Sequence, residues 1–468
     1  MGGAVGLIKE RGCDIAGAKL IRPHFVRERR VSSARASNAT ETLVGDPSLK
    51  EKNPFPGKPE ADVVVIGSGI GGLCCAGLLA RYQQDVLVLE SHDLPGGAAH
   101  SFDIKGYKFD SGPSLFSGFQ SRGLQANPLA QVLDALGESV PCVSYDSWMV
   151  YLPECEFLSR IGPTEFLKIY MFAEWYKPGC SLEYPLHGSG GVVDALVRGM
   201  RKFGGRLALG NHVDKIVVEN GRATGVKLRS GQFVRAKKAV VSNASMWDTL
   251  NMLPTEVIPR SYEEGIRKTP QCDSFMHLHL GFDAQDIPED LGIHHIVVND
   301  WSRGVDADQN VVLISVPSVM SKDLAPPGKH VLHAYTPGTE PFGLWEGLDR
   351  RSPEYKRLKE ERSEVMWNAV ERALGPGFSR DRCEVRLVGT PLTHQRFLRR
   401  NRGTYGPAIQ AGQATFPGHA TPIPQLFCCG DSTFPGIGVP AVAASGAIVA
   451  NSLVSVPEHM QLLDAVGI

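Results

Sequence analysis

The sequence predicts an α/β fold with a doubly wound sheet that carries an inserted β-meander, joined to a second, mixed α+β domain. Three observations support this prediction. A strand, a glycine turn, a helix and a second strand follow one another in residues 62–90. Short strands separated by Asn-Gly and Ser-Gly turns occupy residues 213–241. A last apolar strand ends in Gly430-Asp431 and leads into a helix of small residues.

Residues 62–90 have the order of a nucleotide-binding unit. Residues 62–66 are mostly β-branched, as expected of a parallel strand buried on both faces. Gly67, Gly69 and Gly72 then provide a tight turn, room for a pyrophosphate and close packing of the following helix. Glu90 closes the second strand, where a carboxylate accepts hydrogen bonds from a ribose. The chain has 51 glycines, so the glycine pattern alone would be weak evidence, but the complete arrangement predicts a Rossmann-like dinucleotide site.

The segments after Glu90 predict a hairpin and a helix. Ser101–Ile104 and Tyr107–Asp110 form alternating strands around a Lys-Gly turn. A glycine loop ending at Gly191 precedes an apolar helical pattern in residues 192–203.

The meander and the C-terminal segment together predict FAD. Strands at 213–218, 225–229 and 233–235 precede a return strand at 239–241, and such an inserted meander is typical of FAD-binding folds. The helix beginning near Pro440 can present N–H groups and a positive dipole to the N1–C2=O edge of a reduced flavin. Asp431 can bond the ribityl or pyrophosphate part. The first and last segments would therefore hold one extended cofactor.

Composition and charge exclude several classes of protein. A net charge of −1 shows no excess of basic residues that would predict nucleic-acid binding. The ten cysteines have no Cys-x-x-Cys spacing, which indicates reduced thiols and no zinc site. No run of 18 strongly apolar residues occurs, so a membrane-spanning helix is not predicted.

The division of the chain follows from these patterns. Residues 1–60, with an Arg- and Ser-rich beginning and a Pro-rich end, are predicted to be a transit peptide and linker, with a disordered tail as the alternative. Residues 61–140, 185–245 and 420–468 form the predicted FAD-binding domain. Residues 141–184 and 246–419 form the predicted substrate domain.

Two clusters of polar residues have weaker predicted roles. His277 and His279 alternate on one strand face and are interpreted as ordinary sheet residues, because no other metal-binding residues accompany them. Arg396, Arg399, Arg400 and Arg402 are interpreted as a solvated face, with contact to anionic lipid as the alternative.

Four segments resemble the plant carotenoid isomerases (prolycopene isomerases), a family related to bacterial-type phytoene desaturases and retinol saturases: residues 62–90, 106–114, 183–191 and 430–440. The similarity extends over about residues 61–468 and is most specific in the C-terminal loop. The predicted cofactor positions, most of them implied by this resemblance, are Gly67, Gly69, Gly71, Gly72, Glu90, Gly97, Val213, Gly430, Asp431, Gly438 and Val439.

The resemblance implies an activity. It implies a plastid (chloroplast) flavoprotein, peripherally associated with a membrane, that isomerises poly-cis carotenes from cis to trans, converting prolycopene to all-trans lycopene. No catalytic triad, carboxylate pair or metal cluster is recognisable, so FAD in its reduced form is expected to carry the reaction, with NAD(P)H as an indirect reductant. No catalytic side chain is assigned.

Two alternatives remain open from the sequence. The first is a flavin-dependent carotenoid desaturase or a retinol saturase-type reductase of the same family. The second is a non-catalytic FAD-binding isoform or an escort-type binding protein. In the family a long, mainly helical segment separates the counterparts of residues 162–166 and 170–176, whereas here only Leu167, Lys168 and Ile169 do. We therefore expect FAD binding to be kept and turnover to be poor.

Overall fold

The computed structural model describes residues 55–123, 126–152, 158–161, 181–409 and 415–466, which belong to one unit, Ser48–Ile468. The strands are β1 (Glu60–Ile66), β2 (Val86–Leu89), β3 (Ser101–Ile104), β4 (Tyr107–Asp110), β5 (Phe116–Ser117), β6 (Cys142–Tyr145), β7 (Trp148–Tyr151), β8 (Leu158–Ile161), β9 (Leu182–Pro185), β10 (Arg206–Ala208), β11 (Val213–Glu219), β12 (Arg222–Leu228), β13 (Phe233–Ser242), β14 (His277–Asp283), β15 (His294–Val298), β16 (Val311–Ser315), β17 (Lys329–Tyr335), β18 (Cys383–Gly389) and β19 (Leu426–Cys428). The α-helices are α1 (Ile70–Arg81), α2 (Pro128–Leu136), α3 (Gly188–Lys202), α4 (Met246–Met252), α5 (Arg260–Lys268), α6 (Pro353–Leu374), α7 (Pro391–Leu398), α8 (Val439–Ser452) and α9 (Val456–Val466).

The first sheet brings the predicted cofactor segments to one edge. Among the described residues its order is β10-β2-β1-β13-β12-β11, and β19 also pairs with β13. β10, β2, β1, β13 and β19 run parallel, and Ile66 lies opposite both Leu89 and Ser242. Because the carboxyl ends of parallel strands meet at one edge, the loops after β1, β2, β13 and β19 converge there. The predicted doubly wound, Rossmann-like sheet with its meander is confirmed.

The return strand of the meander differs from its prediction. The sequence predicted separate strands at 233–235 and 239–241, but β13 is continuous. Its first part pairs antiparallel with β12 and its remainder pairs parallel with β1. Lys237 and Lys238 interrupt the apolar pattern, and they form ion pairs with Glu60 and Asp62 at 3.6 and 3.2 Å. A polar interruption can stay in a strand when acidic residues lie beside it.

Helix α3 begins at Gly188, before the predicted start at residue 192. Asp110, at the end of β4, accepts hydrogen bonds of 2.9 Å from both the backbone N–H and the hydroxyl of Ser189. This carboxylate caps the first turn, so the glycine-rich loop becomes helical. The hairpin β3–β4 that supplies Asp110 has the predicted bounds.

The second sheet forms the other wall of the site. Its order among the described residues is β18-β14-β17-β16-β15-β7-β8, antiparallel except for the β15–β7 pair. In β14, Leu278, Leu280 and Phe282 enter a core that includes Met366 and Val370 of the long helix α6. His277 and His279 therefore point to the opposite face. These strands lie in the segments assigned to the substrate domain, although the domain boundaries stay a prediction.

Helices α1 and α8 approach each other at backbone distance. A Cβ atom added to Gly446 would lie 2.2 Å from the carbonyl oxygen of Gly71, so a side chain at Gly446 would push the helices apart. None of the described helices combines the length and the apolar character that crossing a bilayer requires. The predicted transit peptide and the shortened segment at 162–176 lie outside the described residues, except for Phe55 to Glu60 of the linker.

Candidate functional site

The turn from β1 into α1 has no room for side chains at Gly69 and Gly72. Gly67 has a φ of +89°, and Gly69 caps α1 without a side-chain hydrogen bond to the helix terminus. A Cβ on Gly72 would lie 2.3 Å from the carbonyl oxygen of Gly67. A Cβ on Gly69 would lie 2.8 Å from the side-chain amide of Asn243. The loop therefore leaves the N-terminal N–H groups of α1 available to a phosphate.

Glu90 is fixed in place by hydrogen bonds to its neighbours. It is 7% exposed, and its Oε2 accepts hydrogen bonds from the backbone N–H and hydroxyl of Ser68 at 2.8 and 2.7 Å. Its Oε1 accepts the backbone N–H of His92 at 2.8 Å. These bonds join the end of β2 to the glycine loop and orient the carboxylate towards the cavity that it lines. A carboxylate can accept further hydrogen bonds, so a ribose hydroxyl fits here.

The C-terminal loop meets the glycine loop directly. A Cβ on Gly71 would lie 3.1 Å from the Cα of Gly430 and 3.1 Å from the carbonyl oxygen of Val442. Gly97 approaches from the side, and a Cβ added to it would lie 3.0 Å from the Cα of Gly69. The N-terminus of α8 follows Gly438, whose φ is +110°, without a side-chain cap. Two uncapped helix N-termini therefore face the same cavity.

Asp431 forms an ion pair that the sequence did not predict. Its Oδ2 accepts a hydrogen bond of 2.5 Å from Arg400 Nη1. The Arg400 side chain is 15% exposed and also donates to the backbone carbonyls of Thr404 and Tyr405 at 2.5 and 3.0 Å. Burial tends to lower the pKa of Arg400, but the Asp431 carboxylate outweighs it and raises this pKa. The interpretation of Arg400 as part of a solvated face is wrong, because its side chain is largely buried and pairs with Asp431.

One cavity of about 500 Å³ joins the cofactor segments to the second sheet. All the predicted cofactor positions except Gly72 line it, and Gly72 lies beneath the turn. The opposite wall, which the sequence did not predict, includes the rings of Phe275, His277, Tyr335, His394 and Tyr405. The alternation around His277 was visible in the sequence, but no local signal indicated Tyr335 or Tyr405.

Burial favours the neutral form of the two wall histidines, His277 and His394, and of His279 and His333 packed behind them. Burial lowers the pKa values of His279 and His394 to about 4, and those of His277 and His333 well below their usual range. His279 and His333 stack with ring centroids 4.3 Å apart and an interplanar angle of 4°. No group of three metal-binding side chains occurs among the described residues. The wall therefore offers neutral aromatic and imidazole faces.

These residues fit a dinucleotide cofactor. The glycine loop, the oriented Glu90 carboxylate and the two uncapped helix termini are the groups that would hold pyrophosphate, ribose and a polarised ring edge. Residues of all three regions line the same cavity. The observed geometry thus defines a class of protein, the Rossmann-like dinucleotide-binding proteins.

Comparison with known protein families narrows this class to one family. A profile of NAD(P)-binding Rossmann-like domains matches residues 65–135. A profile of flavin-containing amine oxidoreductases matches residues 166–454, which is more than half of the chain. The chain therefore belongs to the flavin-containing amine oxidoreductase family, and FAD is the cofactor that this family supports.

Curated relatives confirm the resemblance to carotenoid isomerases. The chain is 28% identical over 533 residues to the chloroplastic prolycopene isomerase of Arabidopsis thaliana, covering 92% of this chain and 87% of the relative. It is 30% identical over 514 residues to that of Daucus carota, covering 87% and 82%. The all-trans-retinol 13,14-reductase of Danio rerio is 25% identical over 538 residues, covering 84% and 86%. The prediction of an enzyme of this oxidoreductase-like family is confirmed.

A solved structure supports the fold. An oxidoreductase from Methanosarcina mazei superposes with a TM-score of 0.60 at 21% sequence identity, covering 83% of this chain and 99% of that one. At this identity the similarity concerns the fold alone.

Proposed function

We propose that this chain binds FAD and isomerises poly-cis carotenes from cis to trans, converting prolycopene to all-trans lycopene. The observation that carries the proposal is a shared cavity in which the predicted cofactor loops face an aromatic wall. The plant relatives named prolycopene isomerase favour this reaction over others of the family.

The cofactor loops have distinct binding roles in this proposal. The glycine loop and the N-terminus of α1 bind the pyrophosphate, and Glu90 binds the adenosine ribose. Gly97, Val213 and Asp431 line the remainder of the path, and Asp431 balances the positive charge of Arg400 beside it. Gly430, Gly438 and Val439 place the N-terminus of α8 at the flavin end of the cavity.

The opposite wall has two tasks, which are to accept an apolar chain and to exclude water. Phe275 and Tyr405 contact edge to face with ring centroids 4.9 Å apart, which joins two aromatic rings of this wall. When bound, a reduced flavin supplies electron density that lowers the order of a conjugated double bond and then recovers it, so that the bond rotates without net redox change. The reduced flavin is therefore the active form, with NAD(P)H as its indirect reductant.

The cellular setting is part of the same proposal. Relatives named as chloroplastic support a plastid location, for which residues 1–60 would be the transit peptide and linker. A carotene dissolves in a bilayer and not in water, so we propose peripheral association with a membrane.

The test uses the purified full chain with tetra-cis lycopene in liposomes. We expect yellow protein that releases non-covalent FAD on denaturation. We also expect all-trans lycopene to form only after chemical reduction of the flavin, and slowly, because the segment between residues 166 and 170 is shortened. Product and substrate should have the same mass. The controls are the same protein with oxidised flavin and the Gly69→Val variant, whose added side chain would meet Asn243.

Other outcomes would identify the alternatives. A product two mass units lighter would establish a desaturase, and one two units heavier a saturase-type reductase. The reductase alternative has its own support in the Danio rerio relative. Protein that binds FAD without changing the carotene would be a non-catalytic isoform. Protein that cannot be loaded with FAD would contradict the proposal and favour an escort-type binding protein.

A further inference from the structure

One arginine of the cavity lining makes no hydrogen bond or ion pair with another described residue. It is Arg399, which directly follows α7 and is exposed. Its neighbour Arg400 also lines the cavity, but the positive charge of Arg400 is balanced by Asp431. Histidines apart, these two arginines are the basic residues of the lining within the described part of the chain. The charge of Arg399 therefore remains available to a bound molecule.

The cavity lining has an excess of acidic groups. Its acidic residues within the described ranges are Glu90, Asp214, Asp248 and Asp431. The two uncapped helix N-termini supply only partial positive charges. An anionic diphosphate in this cavity would therefore gain from a full positive charge, which Arg399 can supply.

The end of α7 lies beside the glycine loop. The ring of Phe397 contacts the ring of His92 edge to face, with centroids 5.9 Å apart. The backbone N–H of His92 bonds Glu90, and Glu90 accepts the backbone N–H of Ser68 inside the glycine loop, both at 2.8 Å. Arg399 follows Phe397 by two residues, so its long side chain can reach the space beside this loop.

The charge of Arg399 also acts on a second residue of the lining. Burial lowers the pKa of His212, and the charges of Arg229 and Arg399 lower this pKa further. His212 lines the cavity. Because charges near a protein surface interact strongly only over short distances, the Arg399 guanidinium group lies near this part of the cavity.

The backbone conformation of Arg399 is one that glycine adopts more readily. Its φ of +53° and ψ of +37° are left-handed, and it ends α7. Helices often end in such a residue, and it is usually glycine because other residues crowd their own backbone there. The backbone does not favour an arginine at this position, which fits a role for the side chain.

We propose that Arg399, from the predicted substrate domain, binds the diphosphate of FAD opposite the glycine loop. A guanidinium group matches a phosphate in charge and can donate two parallel hydrogen bonds to it. This inference rests on the FAD-binding part of the proposed function and is independent of the reaction. Arg399 is a cofactor-binding residue in it, so both predicted domains hold the cofactor.

The test is the affinity of the full chain, freed of flavin, for added FAD, measured by fluorescence titration. Arg399→Gln removes the charge, and we expect the dissociation constant to rise about tenfold. Arg399→Lys keeps the charge as a point charge, and we expect its dissociation constant to stay within about threefold of the wild type. The difference between wild type and Arg399→Gln should shrink at high salt, because ions screen the interaction.

A matched control separates a direct contact from the net charge of the protein. Arg396 lies on the same helix, is exposed, stacks over the Phe397 ring at 5.2 Å and does not line the cavity. Arg396→Gln makes the same change in net charge and should alter FAD affinity by less than about twofold. Arg399→Gly should lose as much affinity as Arg399→Gln without a lower free energy of unfolding, because glycine suits the left-handed conformation.

Each result decides the inference. Unchanged FAD affinity in Arg399→Gln, or an equal loss in Arg396→Gln, would overturn it. A loss in Arg399→Lys as large as that in Arg399→Gln would also overturn it, because the positive charge would then not be what binds. Wild-type protein that binds FAD without isomerising the carotene would contradict the proposed reaction and leave this inference standing. Wild-type protein that binds no FAD would overturn both.

Discussion

Arg400 and Asp431 form an ion pair of 2.5 Å between the segment after α7 and the loop after β19, at the edge of the cavity. Their side chains are only 15% and 23% exposed. The two residues come from different segments of the chain, and removing either one would leave a largely buried charge without its partner. The pair therefore connects the second wall of the cavity to the cofactor-binding strands.

This relationship predicts two separable effects for Asp431→Ala. We expect FAD affinity to fall by about 1.5–3 kcal/mol, the range of a charge-assisted hydrogen bond. We also expect a lower free energy of unfolding, because Arg400 loses its partner. Fluorescence titration with FAD and urea unfolding measure the two quantities. The control is Asp93→Ala, since the Asp93 side chain is 89% exposed. A loss of stability with unchanged FAD affinity would mean that Asp431 pairs with Arg400 but does not contact FAD.

A side chain in the glycine loop is expected to prevent cofactor binding without unfolding the protein. Gly69→Val is expected to abolish FAD retention, because its Cβ would lie 2.8 Å from the Asn243 amide and its methyl groups would fill the phosphate space. The flavin-to-protein ratio of the purified variant measures this. In contrast, Gly265→Ala in α5 has open space around its Cβ and should raise stability by about 0.5–1 kcal/mol with full flavin. Normal flavin content in Gly69→Val would contradict the assigned docking.

The position of Asn243, which the sequence did not reveal, predicts that substitutions there affect FAD binding sterically. A Cβ on Gly69, on Gly71 or on Gly430 would lie within 2.6–2.9 Å of its side chain, so this side chain fills the space between the two loops. Asn243→Leu places a branched apolar group there and should weaken FAD binding at least about tenfold, which is about 1.4 kcal/mol. Asn243→Ala leaves the loops in place and should have a smaller effect. Equal affinities of all three proteins in an FAD titration would contradict this packing role.

The buried His295 predicts a pH dependence of stability. Burial lowers its pKa to about 4, against about 6.5 in an unfolded chain. Between these pH values the unfolded chain binds a proton that the folded chain does not. The contribution of neutral His295 to the free energy of unfolding is therefore complete above pH 6.5 and is lost as the pH falls towards 4. The loss amounts to about 2–4 kcal/mol.

His295→Gln should therefore reduce the decrease in unfolding free energy between pH 7 and pH 4. Urea unfolding at a series of pH values measures this decrease. His295 also bonds Tyr151 and the carbonyl of Gly292, and the cost of altering those bonds is measured separately at pH 8, where histidines are neutral. Identical pH profiles for the variant and the wild type would show that His295 is not the responsible group.

The strands and turns that could be predicted are those specified by adjacent residues. The β-branched run of β1, the glycine turn and Glu90 were visible because they lie together in 62–90, and the turn at Lys105-Gly106 has a local signal. The continuity of β13 was missed because Lys237 and Lys238 are tolerated only through acidic residues of β1. The early start of α3 was missed because its cap is Asp110, from another element.

The sequence by itself determined the Rossmann-like fold, the glycines of the loop after β1 and the acidic residue at the end of β2. These depend on backbone conformation and on short spacings, which neighbouring residues fix. Only the tertiary structure decided which residues complete the cavity. Arg400 reaches Asp431, Asn243 lies against three glycines, and His333 of β17 bonds His277 of β14. Such contacts join residues that are distant in the chain, and their geometry exists only once the two sheets have formed and packed.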